Sequence, residues 1–164
     1  MKNIEFYKYQ GAGNDFVLID NRNSNFPSDN SKLISALCDR RFGIGADGLI
    51  LIENCQDSDF EMVYFNADGK LGSMCGNGGR CAVKFAERLK IFRDSCKFNA
   101  ADGIHLAKAN KDNNVSLKMS DVFLIEKRED YVLIDTGSPH YIRFENNISK
   151  MDVKKNGGSI RYSK

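Results

Sequence analysis

Long apolar runs are missing from this 164-residue chain: stretches such as Phe16 to Ile19 and Leu49 to Ile52 are four residues long, far below a membrane span of roughly 20. The opening MKNIEFYKYQ has no apolar signal segment either, so the expectation is a soluble, cytoplasmic protein with no membrane partner. A block of one charge sign is also missing. Lys plus Arg number 24 and Asp plus Glu 22, a formal net charge of +2 with both signs spread along the chain. That balance argues against nucleic acid as a partner. The five cysteines, Cys38, Cys55, Cys75, Cys81 and Cys96, are odd in number and follow no secretory signal, so free thiols are expected rather than a disulfide framework. No Cys-x-x-Cys occurs, and His105 and His140 lie far from one another, so no metal site is expected. What is present is ordinary for a folded domain. The composition is 41% hydrophobic and 28% charged, and the length suffices for a core that needs neither disulfide nor metal.

Along the chain, Ile4 to Tyr9 alternates and Phe16 to Asp20 follows the tight Gly11-Ala12-Gly13 segment, which together predict a hairpin. Pro27-Ser28-Asp29-Asn30 supplies turn and N-cap residues before Leu33, Ile34, Leu37 and Cys38, a helix expected to end near Arg41 with Gly43 as its stop. Strands are predicted at Leu49 to Glu53 and at Phe60 to Asn66, the second followed by an Asp68-Gly69 turn. Next comes Cys75-Gly-Asn-Gly-Gly-Arg-Cys81, running into Ala82, Val83, Phe85, Ala86 and Leu89 on one helical face, with Lys84, Glu87 and Arg88 on the other. This predicts a helix over 77–90 with a glycine-rich turn at its N-terminus. Short alternating segments then mark strands at 97–100, 104–109, 115–119, 122–125, 132–135 and 141–144. Beyond Glu145 the sequence turns polar, no closing element is predicted, and the chain is expected to be incomplete.

One stretch carries chemistry. A thiol just before a helix N-terminus faces unpaired N–H groups and the positive end of the macrodipole, both of which favour thiolate. Cys75 stands at such a point, and Gly76, Gly78 and Gly79 would leave the first turn bare enough for a carboxylate to reach the same N–H groups. The competing reading is that Cys75 is a small buried apolar residue and the glycines only turn the chain. Cys81, inside the helix on or near its apolar face, reads as structural. Gly11-Ala12-Gly13 lacks the third glycine and following helix of a dinucleotide site. Asn14 and Asn66 each read as a turn residue or as an amide offered to a ligand, and His140, after Pro139 at a strand entry, as a surface or hydrogen-bonded structural histidine rather than a catalytic one.

Together these segments resemble the diaminopimelate epimerase family along essentially the whole chain. The likeness is carried by Tyr9-Gln-Gly-Ala-Gly-Asn-Asp-Phe16, Arg41-Phe-Gly-Ile-Gly-Ala-Asp-Gly48, Phe65-Asn-Ala-Asp-Gly69, Met74-Cys-Gly-Asn-Gly-Gly-Arg-Cys81 and Thr136-Gly-Ser-Pro-His140, in that order. The resemblance implies an isomerase that needs no cofactor and interconverts LL- and meso-diaminopimelate by two-thiol proton transfer, in lysine and peptidoglycan biosynthesis. It implies an α+β fold of two similar domains, each a strand-rich barrel around a central helix, and a homodimer in the full-length form. Residues 1–121 would be the first domain, with the central helix at 77–90, and 122–164 the opening strands of an incomplete second domain. By position, Cys75 resembles the first catalytic cysteine, and Gly76 and Asn77 resemble the donors that hold the reacting carboxylate. Asn14 and Asn66 resemble substrate-binding amides, and His140 a histidine that tunes the thiol pair. Departures occur at Gly48 and Ser138, where some members carry Gln and Asn. The family's second cysteine belongs to a later Cys-Gly-Thr-Gly or Cys-Gly-Ser-Gly motif, and nothing after Cys96 matches it. The chain alone is therefore expected not to invert its substrate. The alternatives are a non-catalytic binding or assembly module, or an isomerase of the same fold with another substrate.

Overall fold

The structure, a computed structural model, describes residues 3–163. The chain divides after Asp121 into two compact units. In the first, β1 (Tyr7–Gly11) and β2 (Asn14–Asp20) form the expected hairpin, closed across the Gly11–Asn14 pair. Its two turn residues, Ala12 and Gly13, both have positive φ (54° and 83°), as the tight primed turns of hairpins require. α1 (Ser31–Cys38) crosses to β3 (Gly48–Glu53), which runs parallel to β2, and β4 (Phe60–Asn66) returns antiparallel. α2 (Gly76–Arg88) crosses to β5 (Ser95–Ala100), parallel to β4, before β6 (Gly103–Ala109) and β7 (Val115–Leu117) complete a seven-stranded sheet in sequence order. Parallel neighbours need a crossover, and each helix supplies one.

The two-residue period of the strands sorts their side chains between two cores. Phe16, Leu18, Ile50 and Ile52 join the core around α2, while Val17, Ile19, Leu49 and Leu51 join the one around α1. With both faces covered, β2 and β3 read as continuous apolar runs rather than alternating ones. α2 packs against β1 and β2 at one side of the sheet and β6 and β7 at the other, so the sheet curls around it. The result is a strand-rich α+β half-barrel about a central helix, in keeping with the α+β, strand-rich barrel expected. Phe85, fully buried, meets the rings of Tyr7 and Tyr9 at 4.9 and 5.9 Å.

Several boundaries differ from expectation for local reasons. α1 stops at Cys38 because Asp39 turns extended (ψ 127°) and its carboxylate accepts the N–H groups of Arg41 and Phe42 at 2.8 and 2.7 Å, a local alternative to helix. α2 stops at Arg88 rather than residue 90. Lys90 adopts φ 60°, its N–H bonds to the Glu87 carbonyl, and the Ile91 N–H reaches back to Ala86 at 3.1 Å, a left-handed helix stop usually given to glycine. Residues 118 and 119 fall outside β7.

The second unit is a three-stranded antiparallel meander of β8 (Ile125–Lys127), β9 (Val132–Asp135) and β10 (Pro139–Ile142), followed by α3 (Val153–Arg161). The strand expected at 122–125 begins only at Ile125, where pairing to Ile134 begins. α3 was not expected, since the polar stretch beyond Glu145 predicted no closing element. Asp152 caps it, accepting from the Lys155 N–H at 3.0 Å.

Because Lys90 holds a left-handed conformation that costs an L-residue roughly 1 kcal/mol, Lys90→Gly is expected to stabilise the first unit by about that amount. Urea denaturation measures it, and a loss of stability would contradict this account of the helix end.

Candidate active site

Register brings the beginning of β2, the beginning of β3 and the end of β4 together: Phe16 pairs with Gly48 and Gly48 with Asn66. The N-terminus of α2 meets this end of the sheet at the hairpin. A Cβ on Gly11 would stand 3.2 Å from the Asn77 carbonyl, so the bare backbone there permits the hairpin to lie close to the first turn of α2.

Cys75 is the N-cap of α2, half-buried and extended (φ −117°, ψ 113°), with Sγ accepting the Gly78 N–H at 3.5 Å. The Gly79 N–H bonds to the Cys75 carbonyl at 2.7 Å. Gly76 and Asn77 are thus the first two helical residues, whose N–H groups have no intrahelical acceptor. Asn14 Oδ1 lies 3.7 Å from Cys75 Sγ and 3.5 Å from Asn77 Nδ2, and Arg80 donates to Asn77 Oδ1. The structure therefore gathers Asn14, Cys75, Gly76 and Asn77.

The expectation that three glycines keep the first turn bare for a ligand is corrected. Gly78 and Gly79 are buried: a Cβ on Gly78 would press on Ile50 and Met62 at 3.2 Å, and one on Gly79 on Met74 at 2.8 Å and Leu117 at 3.0 Å. Neither has positive φ. They let α2 sit close against the sheet, and only Gly76 is open, its Cβ meeting nothing nearer than 3.7 Å.

One residue not singled out from the sequence, Asp47, orients Asn14. Its Nδ2 donates to Asp47 Oδ2 at 2.8 Å, which turns Oδ1 toward the thiol and the helix start. The same carboxylate oxygen accepts the Asp15 N–H at 3.1 Å, and Arg40 Nη2 bridges Asp15 and Asp47 at 2.7 Å each, with Lys8 2.7 Å from Asp15. The Asn14 amide, then the Asp15 N–H and Arg40, hold the Asp47 carboxyl below its ordinary value, against the opposing effect of burial. Arg40, followed by Lys8, holds Asp15 well below the usual carboxylate range. The sequence signal for this network was that Asp15 and Asp47 sit within the glycine-containing Tyr9 to Phe16 and Arg41 to Gly48 motifs.

Asn66 ends β4 and is exposed, its Oδ1 accepting the Tyr64 hydroxyl at 3.1 Å. His140 belongs to the second unit, exposed on β10, where Nδ1 lies 2.7 Å from the Ser138 carbonyl and 3.4 Å from Thr136 Oγ1. Burial raises three other thiols: Cys38, Cys81 to about 11 and Cys96 to about 12. Among the described residues no group of three His, Cys, Asp or Glu side chains could hold a metal ion, and no helix is long and apolar enough to cross a membrane.

Solved structures share this arrangement of strands and helices. A phenazine biosynthesis protein of the PhzF family from Bacillus anthracis superposes with TM-score 0.67 at 14% identity over 87% of this chain and 56% of its own. A probable proline racemase from Agrobacterium radiobacter gives TM-score 0.65 at 14% identity over 94% of this chain and 55% of its own. These likenesses define the class, an α+β protein of the fold found in those two proteins, and at such identity they speak for the fold alone. The family model described as diaminopimelate epimerase matches residues 6–125. Among curated relatives, the diaminopimelate epimerase of Flavobacterium psychrophilum is 54% identical over 160 residues, and that of Chlorobaculum tepidum 46% identical over 162. These alignments take in 98% and 94% of this chain and 62% of each relative's length. The chain belongs to the diaminopimelate epimerase family.

Two outcomes follow from the site. Iodoacetamide near neutral pH is expected to modify Cys75 before Cys38, Cys81 and Cys96, because those three are buried with raised thiols while Cys75 is accessible with an N–H donor for its thiolate. Peptide mass mapping reads the order, and equal rates would contradict it. Asp47 and Asp15 have folded values lowered from 3.8, so their stabilisation is complete above about pH 4 and lost as pH falls through the lowered values. The melting temperature of Asp47→Asn should thus lie below that of the unsubstituted chain at neutral pH, with the gap closing in acid. A gap that widens as pH falls would overturn this assignment.

Proposed function

We propose that this chain carries one face of the proton-transfer machinery of a cofactor-independent epimerase acting on diaminopimelate, with Cys75 as the acid–base group. Family membership supports the substrate class. The observation carrying the reading is that Cys75 Sγ has a partner in each protonation state: the thiolate accepts the Gly78 N–H at 3.5 Å, and the thiol faces Asn14 Oδ1 at 3.7 Å. A group that takes a proton and returns one needs both.

Removing an α-proton leaves a carbanion whose charge flows into the adjacent carboxylate, where preorganised donors stabilise it. The N–H groups of Gly76 and Asn77, at the positive end of α2, together with Asn77 Nδ2, are such donors. Arg80 anchors the Asn77 amide from behind, and Asp47 anchors Asn14. Asn14 and Asn66 supply amides for the remaining polar groups of the substrate. Assigning His140 to the tuning of a thiol pair rests on family likeness alone. Inversion requires a second acid–base group on the opposite face, which Cys75 does not provide. A cytoplasmic location accords with the free thiols.

Incubated with LL-diaminopimelate in heavy water, the chain is expected to exchange the α-hydrogen for deuterium with retention of configuration, as followed by proton NMR and mass spectrometry. Cys75→Ala should slow that exchange by about 10²-fold or more. Equal exchange in the two proteins would overturn the role of Cys75.

A further inference from the structure

Tyr64 lies in a slot that two bare backbones make for it. A Cβ on Gly48 would fall 2.6 Å from its Cε2 and 3.2 Å from its hydroxyl oxygen, and a Cβ on Gly72 would fall 2.4 Å from Cδ1 and Cε1. No side chain fits at either position while the ring is there, since real Cβ contacts do not come so close. The ring also meets Phe16 edge-on at 5.9 Å and packs, as Cys75 does, against the core around α2. Held on three sides, its hydroxyl has one described partner, Asn66 Oδ1 at 3.1 Å. Burial pushes the phenol up to about 12, so it is a donor throughout the working range.

That direction of donation has a consequence for Asn66. An amide has one acceptor end and one donor end, and with Oδ1 engaged by Tyr64 the NH2 is the end left to meet a ligand. An exposed asparagine at a strand terminus otherwise has both rotation and flip open to it. We propose that Tyr64 is a positioning residue for the ligand site: clamped between Gly48 and Gly72, it holds the Asn66 carboxamide in one orientation, with the NH2 presented to an anionic or carbonyl oxygen of the substrate. The proposal rests on reading Asn66 as a ligand amide, and it adds the device that orients it.

Tyr64→Phe tests this, since it removes one oxygen and keeps the ring in its slot. In the 15N-labelled chain without ligand, the side-chain amide of Asn66 is expected to be ordered, with that order falling in Tyr64→Phe while the melting temperature and the rate of Cys75 alkylation stay unchanged. Equal amide order in both proteins overturns the proposal, whatever the ligand does. By calorimetry with diaminopimelate, Tyr64→Phe should weaken binding about five- to tenfold, the scale of one hydrogen bond. In an Asn66→Ala background the same change should add nothing, because the tyrosine acts only through that amide. A further loss there overturns the positioning role. Unchanged binding by Asn66→Ala instead overturns the reading of Asn66 as a ligand amide, an outcome distinct from weakened Asn66→Ala beside unchanged Tyr64→Phe, which sinks the role of Tyr64 alone.

Discussion

Burial of α2 inside one curled sheet is the constraint on which the rest of the first unit depends. A thirteen-residue helix with buried Cys81, Ala82, Val83, Phe85 and Ala86 cannot slide or rotate without exposing that stripe, so its first turn points in one direction. Gly78 and Gly79 tighten the constraint by drawing the helix onto Ile50, Met62 and Leu117. The thiol at the N-cap inherits its position from the packing behind it. A side chain so placed is held by the core rather than by a loop, an arrangement that keeps its atoms within a fraction of an ångström of one position.

Around that fixed point the polar residues are arranged by charge. Arg40 stands between two carboxylates, Asp15 and Asp47, and neutralises them in part, leaving Asp47 free to accept the Asn14 amide. Exposed ion pairs of this kind add little to stability individually. Their effect here is directional: one carboxylate oxygen decides which end of Asn14 faces Cys75. Tyr64 does for Asn66 by burial what Asp47 does for Asn14 by charge. Both amides are thus oriented from behind, and a site whose dipoles are aligned before the substrate arrives does not have to reorganise during the reaction.

Short-range features were legible in the chain. Alternation and turn residues revealed the hairpin and strands β3 to β6, helical periodicity revealed α2, and a thiol before a glycine-rich helix start marked Cys75. Where local reading failed, a local competitor prevailed: the Asp39 carboxylate ended α1 three residues early, and the Asp152 cap began α3 in spite of Gly157 and Gly158. The bare glycines were visible too, but their purpose was not, because periodicity cannot tell a glycine facing a ligand from one facing a neighbouring strand.

What the sequence by itself determined is most elements of the first unit and the family to which the chain belongs, since each follows from patterns spanning a few residues or from motifs in a fixed order. Only the tertiary structure decided how the amides point. Asn14 meets Cys75 across 61 positions of chain and Asp47 across 33, and Gly48 meets Tyr64 only through strand pairing. Such contacts are made when strand pairing, parallel between β2 and β3 and antiparallel between β3 and β4, brings separate segments into register, and the orientation of a side-chain amide is settled by whichever donor or acceptor that register leaves beside it.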